Sequence, residues 1–243
     1  MLSKIAINSL LVSNYDYLDL VEICKKEIRA KRKIAITYAN IHTVNLYEDN
    51  KDFKEYIKTF DLVYADGVGV YIASRFLNGK FSFKKRINAS DFLLILFSEI
   101  ALQKWKVFLW GDTDSTLIKI KDIIKNVNFC GTRNGYDFEN NIAEIIDEIN
   151  RNSPEILVIG LGPILQEKII SKYKNKLNAN IILAVGQGIK LLAGSKRRGP
   201  KIIRIMGLEW FVRLLTEPQR LWKRYLIGIP KFILRISKQK IGI

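Results

Sequence analysis

The chain has 243 residues, with 40 Lys/Arg against 24 Asp/Glu, a formal net charge of +16 and 48% hydrophobic residues. That length holds one large domain with an appendage, and the apolar content is ample for a core. No run of about 18 uncharged apolar residues exists to form a transmembrane helix, and two isolated cysteines without CxxC spacing argue against a disulfide scaffold or a zinc site and for a reducing cytoplasm.

The opening segment to Ser13 has an apolar run broken by Asn8 and Ser9. It is read as a first strand and not as a signal peptide. Helical patterns follow at Tyr17–Ala30, Ser90–Gln103, Thr113–Lys125, Phe138–Arg151 and Leu165–Lys176. Buried strands are predicted at Ile34–Thr37, Leu62–Ala65, Val107–Trp110, Ile156–Ile159 and Ile181–Val185. This alternation predicts a Rossmann-like α/β domain, a largely parallel sheet flanked by helices on both faces. Several strands run into glycine turns, at Asp66-Gly-Val-Gly69, Gly111-Asp112, Gly160-Leu-Gly162 and Gly186-Gln-Gly188. Ligands of open parallel sheets bind at that strand edge, where glycine lets backbone amides approach a phosphate. No repeats, low-complexity segments or flexible linkers are present.

The composition shifts near Ala193. From Ser195 onward there are thirteen Lys/Arg and two acidic residues, a net of +11, which leaves +5 for the 194 residues before. The division expected is residues 1–194 as catalytic domain and 195–243 as a basic amphipathic appendage. Leu208, Trp210, Phe211, Leu215, Leu221, Trp222, Tyr225 and Leu226 are interleaved with the charge. Basic residues beside tryptophans at helical spacing suit an anionic membrane face. The body carries no basic helix or aromatic motif for nucleic acid.

Asp66 directly follows an apolar strand. It is a candidate general base or a helix N-cap. Asn40 can cap the next helix or bind a sugar hydroxyl, and His42, the only histidine, has no partner for a metal site. Asp112-Thr-Asp114 matches the DxD that holds a metal and a sugar-nucleotide diphosphate in many glycosyltransferases, although both aspartates can equally serve as caps at a helix start. Ser90-Asp91 heads an apolar helix as a cap. Gln166-Glu167 either faces a ligand or forms a solvated first turn.

Taken together, Thr37-Tyr-Ala-Asn40, Ala65-Asp-Gly-Val-Gly-Val70, Ala89-Ser-Asp91, Gly135-Tyr136, Gly160-Leu-Gly-Pro with Gln166-Glu167, Val185-Gly-Gln-Gly, Ala193-Gly-Ser-Lys-Arg-Arg-Gly-Pro200 and the long Gly207–Tyr225 string resemble the WecG/TagA/CpsF family of bacterial glycosyltransferases over nearly the whole chain. The resemblance implies an inverting, metal-independent enzyme without a cofactor. It would move a sugar from a UDP-sugar to a polyprenyl-diphosphate-linked sugar in teichoic acid, common antigen or capsule synthesis. It further implies Asp66 as base, with Asn40 and the neighbouring Tyr38 in the substrate pocket, along with Ser90, Asp91 and Gln166. Gly135, Tyr136, Gly186 and Gly188 fall on the nucleotide side. Arg213, Arg220 and the Lys223-Arg224 pair come from a membrane-docking appendage that completes the active site. This chain departs from the family's frequent Thr-Pro-Asn by placing Tyr38 where that threonine stands. Gln187 and Ile189-Lys190 also replace a commonly small or aromatic-acidic pattern, and the DxD falls where relatives tend to have a glycine-rich turn.

The resulting expectation is a cytoplasmic protein, peripheral on the inner face of the cell membrane, with a homo-oligomer left open. Pro218 suits a first helical turn, and Arg220 and Arg224, spaced i and i+4, share one helix face. The arginines would turn inward while Trp222, Lys231, Phe232, Ile233 and Arg235 engage the bilayer. A membrane-peripheral binding scaffold without catalysis and a metal-dependent enzyme using Asp112 and Asp114 are the alternatives.

Overall fold

The computed structural model describes residues 4–138, 141–195, 199–200, 202–203 and 206–242. The expected first strand is a hairpin. β1 (Lys4–Ile7) and β2 (Leu10–Ser13) pair antiparallel across the very Asn8 and Ser9 that interrupt the apolar run. Asn8 takes a positive φ of 52°, which asparagine tolerates better than most residues.

After the hairpin the chain alternates. α1 (Tyr17–Arg29) starts at a capping box made by Asp16 and Asp19. Then come β3 (Ile34–Ala39), α2 (Ile41–Asp49), α3 (Lys51–Lys58), β4 (Leu62–Ala65), α4 (Gly67–Asn78) and α5 (Ala89–Gln103). The second half runs β5 (Lys106–Gly111), α6 (Asp114–Ile123), β6 (Asn128–Arg133), α7 (Ile142–Asn152), β7 (Ile156–Gly160), α8 (Leu165–Tyr173), β8 (Ile181–Ala184) and α9 (Gly188–Leu192). All five strands predicted between Ile34 and Val185 are present. β6 escaped the reading because its six residues are only partly buried and include Asn128, Gly131 and Arg133, so its apolar signal is weak. The helix expected from Phe138 starts at Ile142, with residues 139 and 140 outside the described set.

The eight strands form one sheet in the order β1-β2-β4-β3-β8-β7-β5-β6, and every pairing except β1 with β2 is parallel. Helices cover both faces, as buried parallel strands require. Leu20, Cys24, Phe92, Leu96, Ile100, Leu117 and Ile189 build the core on one face. Val44, Phe53, Val70, Ile145, Ile149 and Ile170 build it on the other. Both cysteines are free, and burial pushes the Cys24 thiol up to about 12.

The C-terminal region continues through α10 (Glu209–Thr216), α11 (Pro218–Trp222), a π-helical turn (Lys223–Ile227) and α12 (Gly228–Ile241). The basic string at residues 196–198, 201 and 204 lies outside the described residues. α12 is docked on the body. Phe232 and Ile236, one turn apart, are buried in the same core as α2 and α4. Lys231 and Arg235, also i and i+4, both ion-pair with Asp49 of α2. Gln239 bonds the β1-β2 hairpin at Asn8 and Ala6. This corrects the expectation that Phe232, Lys231 and Arg235 engage a bilayer: their apolar and cationic groups already have partners in the body. Ile233 remains 57% exposed. Among the described residues no helix is long and apolar enough to cross a membrane.

Phe232→Ala removes a large buried side chain from the joint between α12 and the body. Urea unfolding of the full chain should show a loss of about 3–5 kcal/mol. A loss below about 1 kcal/mol would mean that α12 rests loosely on its neighbours.

Candidate active site

Parallel strands deliver whatever follows them to one edge of a sheet. Here the order β4, β3, β8, β7, β5, β6 lays out Asp66, Asn40, Gly186, Gly160, Gly111 and Gly135 in a row, though they are scattered over 40–186 in the sequence. At about 4.8 Å per strand the row is roughly 24 Å long. Asp66 and Asn40 therefore occupy one end, and Gly111 and Gly135 the other.

Asp66 stands at the N-cap position of α4, yet its side chain makes no cap hydrogen bond. The capping alternative is thereby set aside. Its Oδ2 accepts from Asn40 Nδ2 at 3.2 Å and its Oδ1 from the Ala89 amide at 2.8 Å. Asn40 caps α2 with its other end, where Oδ1 accepts from the His42 and Thr43 amides and Thr43 returns the bond as a capping box. The amide orientation is fixed by that network. Asp66 is thus held half-buried by donors from two other elements, with lone pairs left for a substrate hydroxyl. Ser90 and Asp91 do not cap α5. Asn88 does, accepting from the Ser90 amide at 2.9 Å, because its side chain stands one residue outside the first turn. Ser90 is buried there.

Behind this row, Gln166 and Glu167 are fully buried and form neither a solvated turn nor an open ligand face. Gln166 accepts from the Gly186 amide at 2.9 Å and donates to Glu167 at 2.7 Å, so it anchors the turn after β8. Burial raises the Glu167 carboxyl above the usual range. The Tyr38 hydroxyl lies against Gly186, where an added Cβ would come within 2.8 Å of it. Burial, reinforced by Glu167, pushes the Tyr38 phenol well up and keeps it protonated. His42 is pushed down to about 4 by burial and the nearby Arg224, so it is neutral at physiological pH.

Gly111, Gly160 and Gly186 end adjacent strands, and each lacks room for a side chain. A Cβ on Gly111 would meet the Gly160 carbonyl oxygen at 2.5 Å, and one on Gly160 the Gly186 oxygen at 2.7 Å. The result is a bare backbone shelf along the middle of the row. Gly188 begins α9 beside it. Gly135 packs on Gly111 and Asp112 at its far end, and Tyr136 is exposed there. Asp112 accepts from Thr116 and lies 3.8 Å from Lys190, while Asp114 accepts from Asn134. The cap of α6 is Thr113, not either aspartate. No group of three His, Cys, Asp or Glu is assembled to hold a metal among the described residues.

The tail closes over the Asp66 end. Gly207, at φ 77°, sits so close to Val68 of α4 that an added Cβ would come within 2.9 Å. Glu209, 6% exposed, accepts from Asn88 at 2.8 Å and from Arg213 at 2.6 Å. Burial disfavours the Arg213 charge, but Glu209, Tyr225 and Asp66 outweigh it and raise its pKa. Arg224 lies over the Tyr225 ring and electrostatically near Tyr38 and His42. The Nε atoms of Arg213 and Arg224 are both buried without a hydrogen-bond partner.

Arg220 does not share Arg224's surroundings. It is 48% exposed and paired with Glu217 at 2.6 Å. The chain enters a π turn at Lys223, and i→i+5 bonding there breaks the register that would align residues four apart. Lys223 is exposed over the Trp222 ring. Glu209 and Asn88 were not singled out from sequence. The signal for Glu209 was available, as one of only two acids in a strongly basic segment. Asn88 had only its position before an apolar helix.

A model of the glycosyl transferase WecG/TagA/CpsF family matches residues 5–243. The chain is 27% identical over 238 residues to the N-acetylglucosaminyldiphosphoundecaprenol N-acetyl-beta-D-mannosaminyltransferase of Bacillus subtilis (strain 168), covering 96% of this chain and 89% of that one. It is 27% identical over 246 residues to the protein of the same description from Staphylococcus aureus (strain NCTC 8325 / PS 47), covering 98% and 94%. A match over all but the first few residues, with the family's strand-end motifs gathered on one sheet edge, shows that this chain belongs to the WecG/TagA/CpsF family of glycosyl transferases.

Proposed function

We propose that this protein is an inverting, metal-independent hexosyltransferase. It moves N-acetylmannosamine, glucose or a related hexose from a UDP-sugar to a polyprenyl-diphosphate-linked sugar, in synthesis of a cell-surface polysaccharide. The observation that carries the reading is the Asp66 carboxylate, oriented by Asn40 and the Ala89 amide and left uncommitted to its own helix. The names of the relatives support the lipid-linked acceptor and the N-acetylmannosaminyl donor group.

The acceptor hydroxyl is far too weak an acid to attack unaided. Asp66 takes its proton as the hydroxyl oxygen bonds to the sugar's anomeric carbon, and the bond to the nucleotide diphosphate breaks on the opposite face. Negative charge then collects on the leaving diphosphate. Arg213 and Arg224 meet it with their unpartnered buried donors, and the shelf at Gly111, Gly160 and Gly186 admits the diphosphate to close range. In this reading the tail arginines replace a cation. Arg220, engaged by Glu217, stands at the rim. Ser90, Asp91 and Gln166 shape the pocket, and Tyr136 and Gly188 flank the nucleotide.

A lipid-borne acceptor and a soluble nucleotide-sugar donor support a peripheral position on the inner face of the cell membrane. Phe211, Leu215, Trp222, Leu226 and Ile227 are exposed on the tail and suit contact with it.

Asp66→Asn should lower turnover by about 10²–10⁴ while leaving UDP affinity in place, as expected for a lost base. Turnover within a few-fold of wild type would remove Asp66 from the chemistry. Arg224→Ala should cost on the order of 10²–10³ in kcat, as for loss of a transition-state donor. Arg220→Ala should stay within about threefold of wild type, as for an exposed ion pair. The reverse ranking, from steady-state kinetics, would reassign the roles. In EDTA the rate should match that in magnesium; abolition by EDTA and rescue by Mg²⁺ or Mn²⁺ would return the diphosphate to Asp112 and Asp114.

A further inference from the structure

A short line of hydrogen bonds runs from the tail to the Asp66 carboxylate. Glu209 Oε2 of α10 accepts from Asn88 Nδ2 at 2.8 Å. Asn88 Oδ1 accepts from the Ser90 amide at 2.9 Å, and the Asn88 amide donates to the Tyr17 hydroxyl at 2.9 Å. The Asn88 side chain is gripped at both ends, so the peptide between Asn88 and Ala89 has little freedom to turn. That peptide carries the N–H that meets Asp66 Oδ1 at 2.8 Å. One residue earlier, the Ile87 carbonyl accepts from the Gly67 amide at 2.7 Å. The 87–89 segment is thus stitched to the Asp66-Gly67 turn on one side and to the tail on the other.

Glu209 is buried, and a buried carboxylate must have its charge and its lone pairs matched. Its two oxygens serve two different elements. Oε2 takes Asn88 at the head of α5, and Oε1 takes Arg213 Nη2 of its own helix at 2.6 Å. Asp66 is among the acids whose charge bears on Arg213. A guanidinium released beside a base would pair with it and occupy the lone pairs that a substrate hydroxyl needs. Held by Glu209, Arg213 keeps its buried Nε for an anion and leaves the base open.

We propose that Glu209 is a positioning residue for the base: its bond to Asn88 aims the Ala89 amide at Asp66, and its bond to Arg213 keeps that guanidinium off the same carboxylate. Glu209 acts through Asn88 and Arg213 and not on the reacting atoms. Docking of α10 then sets the base as well as the arginines. A body whose tail is displaced lacks the tail cations and also carries a base with a loosened donor, so it activates no hydroxyl against the nucleotide sugar. The proposal rests on the reading of Asp66 as the base.

The experiment uses the full chain in three variants: Asn88→Ser, Asn88→Asp, and Asn88→Asp combined with Glu209→Gln. Asn88→Ser keeps a cap for α5 on a side chain too short to reach Glu209. Asn88→Asp sets a second carboxylate against Glu209, and adding Glu209→Gln restores the bond with donor and acceptor exchanged. Asn88→Ser should lower kcat about tenfold, as for a displaced catalytic group, with the UDP-sugar KM within about twofold. Hydrogen exchange over Glu209–Thr216 should stay within about threefold of wild type, because Arg213 and the docked α12 still hold the tail. Asn88→Asp should lose more, and Glu209→Gln should recover it to within about tenfold of wild type. In an Asp66→Asn background the effect of Asn88→Ser should shrink to less than about twofold, whereas in an Arg224→Ala background it should persist at about tenfold. Wild-type kcat in Asn88→Ser overturns the proposal, and so does failure of Glu209→Gln to rescue Asn88→Asp. A loss that persists without Asp66 and vanishes without Arg224 also overturns it, since Asn88 and Glu209 would then serve tail docking alone. If Asp66→Asn turns over like wild type, the base reading fails, and exchange of the Ala89 amide judges the line of bonds by itself. Acceleration in Asn88→Asp reversed by Glu209→Gln supports it, and unchanged exchange overturns it.

Discussion

Two hydrogen bonds to one carboxylate organise the candidate active site. Asp66 accepts from Asn40 and from the Ala89 amide, and neither donor belongs to the helix that Asp66 begins. Each is itself fixed by a helix cap, Asn40 at the start of α2 and Asn88 just before Ala89 at the start of α5. The carboxylate's position is therefore set by the packing of three helix starts, two of them strand-to-helix turns. Those turns are adjacent because β3 and β4 are parallel neighbours in register from Ile36 with Leu62 to Ala39 with Ala65. A caged carboxylate with lone pairs to spare suits a base better than a helix cap, whose oxygen is consumed by its own backbone.

The tail is tied to this arrangement through Glu209. A buried carboxylate is costly unless both its charge and its lone pairs are matched. Asn88 and Arg213 match them, so docking of α10 and the orientation of Arg213 are one event. The fit of Gly207 against Val68 and the tilted ring contact of Trp210 with Tyr225 complete the approach. Arg224 follows from the π turn, a local departure from α geometry that often accompanies function. Two guanidinium groups with buried, unpaired Nε atoms are an expensive feature in a resting protein. An arriving anion would satisfy both.

Charge is sorted by position and not merely by amount. The net of +16 falls partly on residues with a structural task, such as Lys231 and Arg235 against Asp49, which fasten α12 to α2. Other cations, Arg213 and Arg224, face the sheet edge from the tail. A single basic number thus covers an internal fastener and an anion-facing surface, and only the second has free donors to offer.

Much of the architecture was legible in the chain. Apolar runs of four to six residues between amphipathic segments give strands and helices because the hydrophobic period fixes them locally, and a strand-end Asp-Gly or Gly-x-Gly marks the ligand edge because parallel sheets always bind there. The family motifs pointed to Asp66, Asn40 and the tail arginines as candidates. Tertiary structure decided the rest. Sequence could not tell whether Asp66 caps α4 or faces outward, since both fit one residue at one place; the choice depends on donors 26 residues before it and 23 residues after it. It could not tell that Phe232 and Arg235 turn toward the body, because an amphipathic basic helix has the same pattern whether its apolar face meets lipid or α2. Nor could it separate Arg220 from Arg224, because the π turn that begins at Lys223 breaks the four-residue register on which their pairing on one face depended. Periodicity is a property of one segment, whereas partnership belongs to two, and it is partnership that assigns each charge its task.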